Sequence, residues 1–299
     1  MPLDLLLITL AALVGVRLQR RPGADRLRER IWNANYVLLI PAAAVFAFLS
    51  IDLDRALLGV IACGVAAWWA TVALGWLWAR GTARTRSMRG ALILIAGFPN
   101  TGFVGYPLAH LAFGAEGLRL AVIYDQVSLL IPSVVVSTII ARRHATTPNE
   151  AASLRRQVLL SPPLWTVLIV VALRLTIVRE PVELDALGTV IGRVIGPIGF
   201  LLLGMSIPLH GFRHDRHDVV LTAGAVAIRL LAAPALVWCA AQVFSVDVPA
   251  ALYLIAAMPT AFHALVMSRL NDLEVAVVRL GVVASTVIAV VGTVAWSVA

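Results

Sequence analysis

The sequence predicts an all-α polytopic membrane protein of about ten transmembrane helices, arranged as two inverted five-helix repeats with broken crossover helices 4 and 9. Three observations predict it. Of 299 residues, 61% are hydrophobic and only 13% charged. That charged fraction is about half the ~25% of an ordinary soluble domain, and no soluble surface hides so much apolar area. Apolar runs long enough to span recur from end to end. Arginines gather in alternate connections between those runs, the distribution that the positive-inside rule produces.

The first run, 3–18, lies in "MPLDLLLITLAALVGVRLQRR", with an acid before it and arginines after it. A signal peptide has the opposite charge order and a small-residue cleavage site, so this run is expected to be the first transmembrane helix. The second, 33–50, carries Pro41, with Asn33 expected as its cap. The third, 56–79, holds Trp68, Trp69, Trp76 and Trp78, expected in packing and an interfacial belt. The fourth, 90–113, is interrupted at Pro99, and the fifth, 118–141, contains Tyr124, Asp125 and Gln126. The longest polar stretch, "ARRHATTPNEAASLRRQ" at 141–157, then separates five runs from five. Those that follow are 157–177, 186–208 with Pro197, 219–243 with Arg229, 248–269 broken at Pro259, and 275–298. The expected domains are a first repeat at 1–141, a cytoplasmic linker at 142–156 and a second, inverted repeat at 157–299. Cys63 and Cys239 fall inside apolar runs and are expected as packed thiols.

The net charge of +8 comes from arginine alone, since the chain has no lysine. A nucleic-acid partner is not expected, because the arginines sit in short loops between apolar runs. One set of alternate connections holds Arg17–Arg30, Arg80–Arg89, Arg142, Arg143, Arg155, Arg156, Arg213, Arg216 and Arg269; the other holds only Arg55, Arg119, Arg174 and Arg179. The first set is expected to face the cytoplasm of a cell inner membrane, with both termini outside.

"GFPNTGFVGYP", Gly97–Pro107, sits where a spanning helix most needs continuity. Proline removes a backbone donor and clashes with the preceding turn, and the glycines free the backbone. Unpaired peptide groups in lipid cost several kcal/mol each, so such a break survives only against protein or a polar cavity. A matching break stands at Pro259 in "LIAAMPTAFHALVM". Paired breaks in two halves point to a secondary transporter's binding site, where half-helix N-termini favour anions. Asn100, Thr101 and Thr260 add short hydrogen-bonding side chains there.

Charges inside the bilayer ask for a reason, since each costs about 2.5–3.5 kcal/mol on insertion scales. Asp125, beside Gln126, is expected to bind a cation, take a proton or brace the crossover; solvation near the outer interface is the other reading. Arg229 either holds an anion, pairs with Asp125 or snorkels; Arg193 and Arg279 are expected to snorkel or pair structurally. His263, four residues after the second break, serves as a substrate donor or proton carrier, or packs helices. An intramembrane aspartyl protease needs a second facing acid, and a serine protease needs an activated serine with a base. The chain has no such partner for "YD" at Tyr124–Asp125 or for Ser206, so no enzyme is expected.

The stretches "PNTGFVGYPLAHLAFG", "SPPLWTVLI", "GPIGFLLLGMSIPL", "RLLAAP" and "AAMPTAFHALVMSRLN" resemble the auxin efflux carrier family, which includes plant PIN proteins and many bacterial relatives. The resemblance covers nearly the whole chain. It implies a scaffold from helices 1, 2, 6 and 7, a transport domain from helices 3–5 and 8–10, and a homodimer. It also implies elevator-type transport of a small organic anion, with Pro99, Asn100 and Pro259 as the core of the substrate site. The short linker departs from the plant members, so neither their phosphorylation control nor indole-acetate is implied. A small carboxylate is the expected substrate, with H+ or Na+ coupling and no other cofactor. The alternative is a sodium-coupled organic anion transporter of the bile-acid symporter type.

Overall fold

Helix accounts for the regular structure of the described residues: within one segment, only a helix pairs its backbone polar groups without help from a closed barrel. The computed structural model describes residues 2–146, 158–206 and 215–298. Most of the 142–156 linker, with Arg155, Arg156 and Arg213, lies outside the described residues. Among the described residues, six helical runs are long and apolar enough to cross a membrane: Ala24–Leu49, Arg55–Thr82, Thr101–His144, Asp185–Ser206, Arg216–Phe244 and Val275–Thr293. Shorter apolar helices fill the other expected segments.

In chain order these are α1 (Pro2–Leu18), α2 (Ala24–Ala34), α3 (Ile40–Leu49), α4 (Arg55–Thr82), α5 (Arg86–Gly97), α6 (Tyr106–Tyr124) and α7 (Leu130–His144). There follow α8 (Pro162–Thr176), α9 (Asp185–Ser206), α10 (Arg216–Ala227), α11 (Ala233–Phe244), α12 (Ala250–Ala256), α13 (Phe262–Leu270) and α14 (Val275–Val298). Among the described residues, four widened π-helical turns join some of them: Asn35–Leu39, Thr101–Gly105, Asp125–Leu129 and Ile228–Ala232. The first, second and fourth end two residues before Pro41, Pro107 and Pro234. A helical proline lacks a donor and crowds the carbonyl of the preceding turn, and a widened turn absorbs both defects.

Three sequence expectations change here. The arginine-rich stretch before the second segment is helical from Ala24, so Asn33 lies inside α2 and is no cap; that place belongs to Gly23 at φ 82°. Cys63 is buried as expected, but Cys239 is exposed. Arg174, expected in a connection, is buried and donates to the carbonyls of Phe48 (3.1 Å), Ile51 (2.7 Å) and Val178 (2.5 Å). Its fork satisfies carbonyls at or just beyond the ends of α3 and α8.

The 44-residue run Thr101–His144 is too long for one straight crossing. It breaks at Gly114 (φ 64°, ψ −148°), a conformation that an L side chain resists.

The chain divides into two units. Unit 1 comprises Met1–Leu57, Thr101–Val127 and Leu159–Ile207. Its central contact is α1 against α9, backbone to backbone. A Cβ on Gly204 would stand 2.1 Å from the Ala12 carbonyl oxygen, and one on Gly15 would stand 2.3 Å from that of Leu201. Helices in lipid associate by such close approach of small residues. Arg119 pairs with Asp185, bonds Ser50 Oγ at 2.9 Å and lies over the Phe46 ring. Arg193 pairs with Asp4 at 3.7 Å, one of the two roles expected of it.

Unit 2 comprises Leu58–Asn100, Ser128–Val158 and Pro208–Ala299. Its centre is α5, whose residues Gly90–Gly97 are all buried. A helix that is apolar all round belongs inside a bundle.

Candidate functional site

The two breaks solve each other's hydrogen-bonding problem inside unit 2. After α5 ends at Gly97 the chain runs extended, with Phe98 at φ −119° and ψ 103°. After α12 ends at Ala256 the chain makes one more turn, with Ala257 at φ −82° and ψ 9°, before it reaches Pro259. Pro99 and Thr260 lie side by side as an antiparallel bridge. Asn100 N–H donates to the Pro259 carbonyl at 2.6 Å, and Ala261 N–H donates to that of Phe98 at 2.8 Å. In this register neither member of the Pro99–Thr260 pair needs to donate across the bridge. Proline therefore costs the bridge nothing at position 99. The remaining N–H, of Thr260, finds Ser285 Oγ at 3.0 Å.

Stopping a helix strands its last carbonyls. Here side chains from three other segments take them up. Thr260 Oγ1 donates to the Ile95 carbonyl at 2.9 Å, Arg229 Nη1 to Ala96 at 3.3 Å, and Trp68 Nε1 to Gly97 at 2.8 Å. Arg229 Nη2 also donates to the carbonyl of Ala256. One guanidinium thus holds the C-terminal ends of both α5 and α12. Its charge complements the negative end of each helix dipole, and its planar fork suits two acceptors at once. Arg229 is 2% exposed, Asn100 3% and Thr260 0%.

A second polar group lies within unit 1. The Asp125 carboxylate accepts from Thr101 Oγ1, from Tyr106 Oη at 2.7 Å and from Gln126 Nε2 at 3.0 Å. Gln126 Nε2 also lies 3.0 Å from Tyr106 Oη, and Gln126 Oε1 is buried with no hydrogen-bond partner among the described residues. Thr101 opens the helical run that follows the first break, where a negative charge is favoured by the helix dipole. Both Thr101 and Asp125 begin π-helical turns, which recur at functional sites.

Of the residues that the sequence singled out, Pro99, Asn100, Pro259, Thr260 and Arg229 meet in one cluster. Thr101, Asp125 and Gln126 meet in another. His263 Nε2 stands 2.9 Å from Ser137 Oγ, a pairing of α13 with α7 apart from the bridge. Sequence reasoning passed over Tyr106, Ser137 and Ser285, and gave Trp68 only a packing or interfacial role. Ser285 had a signal: with Thr286 it makes a polar pair inside the last apolar run, and both are buried. Tyr106 had one too, as a phenol five residues beyond Thr101 within the interrupted stretch.

The family model for membrane transport proteins matches residues 33–297. An uncharacterized transporter of Methanothermobacter thermautotrophicus strain Delta H is 30% identical over 232 residues, which make up 75% of this chain and 72% of that protein.

Proposed function

Since the chain belongs to the membrane transport protein family, that of the auxin efflux carriers, we propose that it is a secondary transporter moving a small organic carboxylate across the cytoplasmic membrane. The observation that carries this reading is the cross-paired break. Phe98–Asn100 and Pro259–Ala261 satisfy one another's backbone and are followed directly by the starts of new helical runs at Thr101 and Phe262. N–H groups at a helix start favour a negative ligand. Asn100 and Thr101 offer side-chain polar groups at the first break, Thr260 and His263 at the second. Arg229 acts from behind, through the helix ends that it holds. The Asp125–Gln126–Thr101–Tyr106 group takes the coupling cation, H+ or Na+. No residue is assigned a catalytic role.

Elevator-type alternating access is supported by the division into two units. Unit 1 gathers the first, second, sixth and seventh segments, the ones expected in a scaffold, and also Thr101–Val127, from segments expected in the transport domain.

A thermal-stability screen of the purified protein tests the substrate class. Small carboxylates are expected to raise the melting temperature, while amines of similar size leave it unchanged. A ligand that binds only the native state at 100 times its Kd adds about 2.7 kcal/mol. Stabilisation by amines and not by carboxylates would sink the anion reading. Uptake of a stabilising carboxylate into liposomes under a sodium or a proton gradient then identifies the coupling ion, and strict sodium dependence supports the bile-acid-symporter alternative.

Arginine asymmetry supports an orientation with both termini outside. A C-terminal alkaline phosphatase fusion is expected to be active; an inactive phosphatase with a bright fluorescent-protein fusion at the same place would reverse the orientation.

A further inference from the structure

Away from the crossover, unit 2 holds a cavity of about 300 Å³ lined by Trp76, Ala79, Arg80, Arg89, Ile93 and His144. We propose that this cavity binds the phosphate of an anionic phospholipid headgroup. Three helices build it: α4 brings Trp76 to Arg80, α5 brings Arg89 and Ile93, and α7 ends on His144. Two arginines there face the recess. Arg80 stacks over the Trp76 ring at 5.2 Å, and Arg89 Nε makes a long 3.4 Å contact with the Ala83 carbonyl. Among the described residues neither has a carboxylate within ion-pair distance. His144 Nδ1 donates to the Ile140 carbonyl at 2.9 Å, which leaves its Nε2 for another partner. The first turn of α5 has no acidic residue, although a negative charge is what a helix start favours.

Arginines that merely set topology need only stand near a helix end. These two flank a recess whose wall is apolar, with Ala79 and Ile93 buried and Trp76 44% exposed. A free phosphate would leave the exposed Trp76 ring in water. A phospholipid places its phosphate on the cations and its glycerol and first methylenes on the exposed Trp76 ring. Tryptophan is the residue that anchors at headgroup depth, and basic recesses between transmembrane helices recognise anionic headgroups.

The test uses the full-length protein in a neutral detergent, with melting temperature read against added phosphatidylglycerol, phosphatidylcholine or inorganic phosphate. Phosphatidylglycerol is expected to give a saturable rise, and the other two none at the same concentration. In the double variant Arg80→Gln, Arg89→Gln the half-saturating concentration should increase about 30-fold, since each cation at a membrane surface contributes roughly a fivefold factor. Arg80→Lys with Arg89→Lys should keep most of the affinity. Both arginines are exposed, so the lipid-free melting temperatures of the variants should match the parent. An equal rise with phosphatidylcholine, or an unchanged response in the glutamine variant, overturns the proposal. A rise with inorganic phosphate alone assigns the cavity to a soluble phosphate and also overturns it. None of these outcomes bears on the carboxylate site, which the substrate screen reads separately.

Discussion

Arg229→Met is expected to lower the melting temperature of the purified protein by roughly 5–20 °C. The argument rests on two acceptors. In the parent, one guanidinium occupies the carbonyls of Ala96 and Ala256, at or beside the last turns of α5 and α12. Methionine fills much of the volume and removes the burial of a charge, which by itself is favourable. It leaves both carbonyls inside a dry bundle, and each orphaned buried acceptor costs about 1–3 kcal/mol. The backbone cannot turn to meet other donors, because Phe98–Asn100 is already locked to Pro259–Ala261. The orphaned acceptors therefore outweigh the relief. Arg229→Lys retains charge but not the planar fork, so an intermediate loss is expected. A melting temperature equal to the parent's, with carboxylate binding abolished, would make Arg229 a ligand residue and not a brace.

Asn100→Ala is expected to weaken carboxylate binding 5- to 150-fold and to cut transport in proportion, with little change in melting temperature. The separation of the two effects follows from which atoms do what. Pairing with Pro259 uses the backbone N–H of Asn100, which alanine keeps. The side chain sits 3% exposed beside the start of the helical run at Thr101. Losing one buried polar partner for a ligand costs roughly 1–3 kcal/mol, and that sets the range. Normal transport by the variant would move the site elsewhere. A fall in melting temperature comparable with that of Arg229→Met would assign the side chain to the fold.

The places where helices stop were legible because proline and glycine act locally. Pro99 and Pro259 announce an interruption through a missing donor, and no tertiary context restores it. What meets the interruption was not legible. That Phe98–Asn100 pairs with Pro259–Ala261, and that Trp68, Arg229 and Thr260 serve three successive carbonyls, depends on chain segments far apart in sequence. Residue type alone leaves them several partners. Arg174 illustrates the limit: an arginine at the end of an apolar run reads as a loop charge, and only packing turned it inward onto three carbonyls. Asn33 shows the opposite failure. A good capping residue at an apolar boundary was overruled by the amphipathic turns before it, which continue the helix back to Ala24. At Gly114 the reading was nearly right, since the expected gap between the fourth and fifth segments contracts to one glycine in a left-handed conformation.

The bridge also sets a timetable for biosynthesis. Phe98–Asn100 emerge from the ribosome about 160 residues before Pro259–Ala261. At 5–20 residues per second that is roughly 10–30 s during which a nascent membrane segment carries an unpaired extended stretch. Through that interval the Ile95 carbonyl lacks Thr260, and for most of it the Ala96 carbonyl lacks Arg229; only Gly97 has its donor, Trp68, already made. The fourth segment therefore completes its insertion only when the ninth arrives. A chain stopped short of Ala261 holds an open polar gap that quality-control proteases can grip, and a gene split in the 142–156 linker yields two halves that depend on each other to mature.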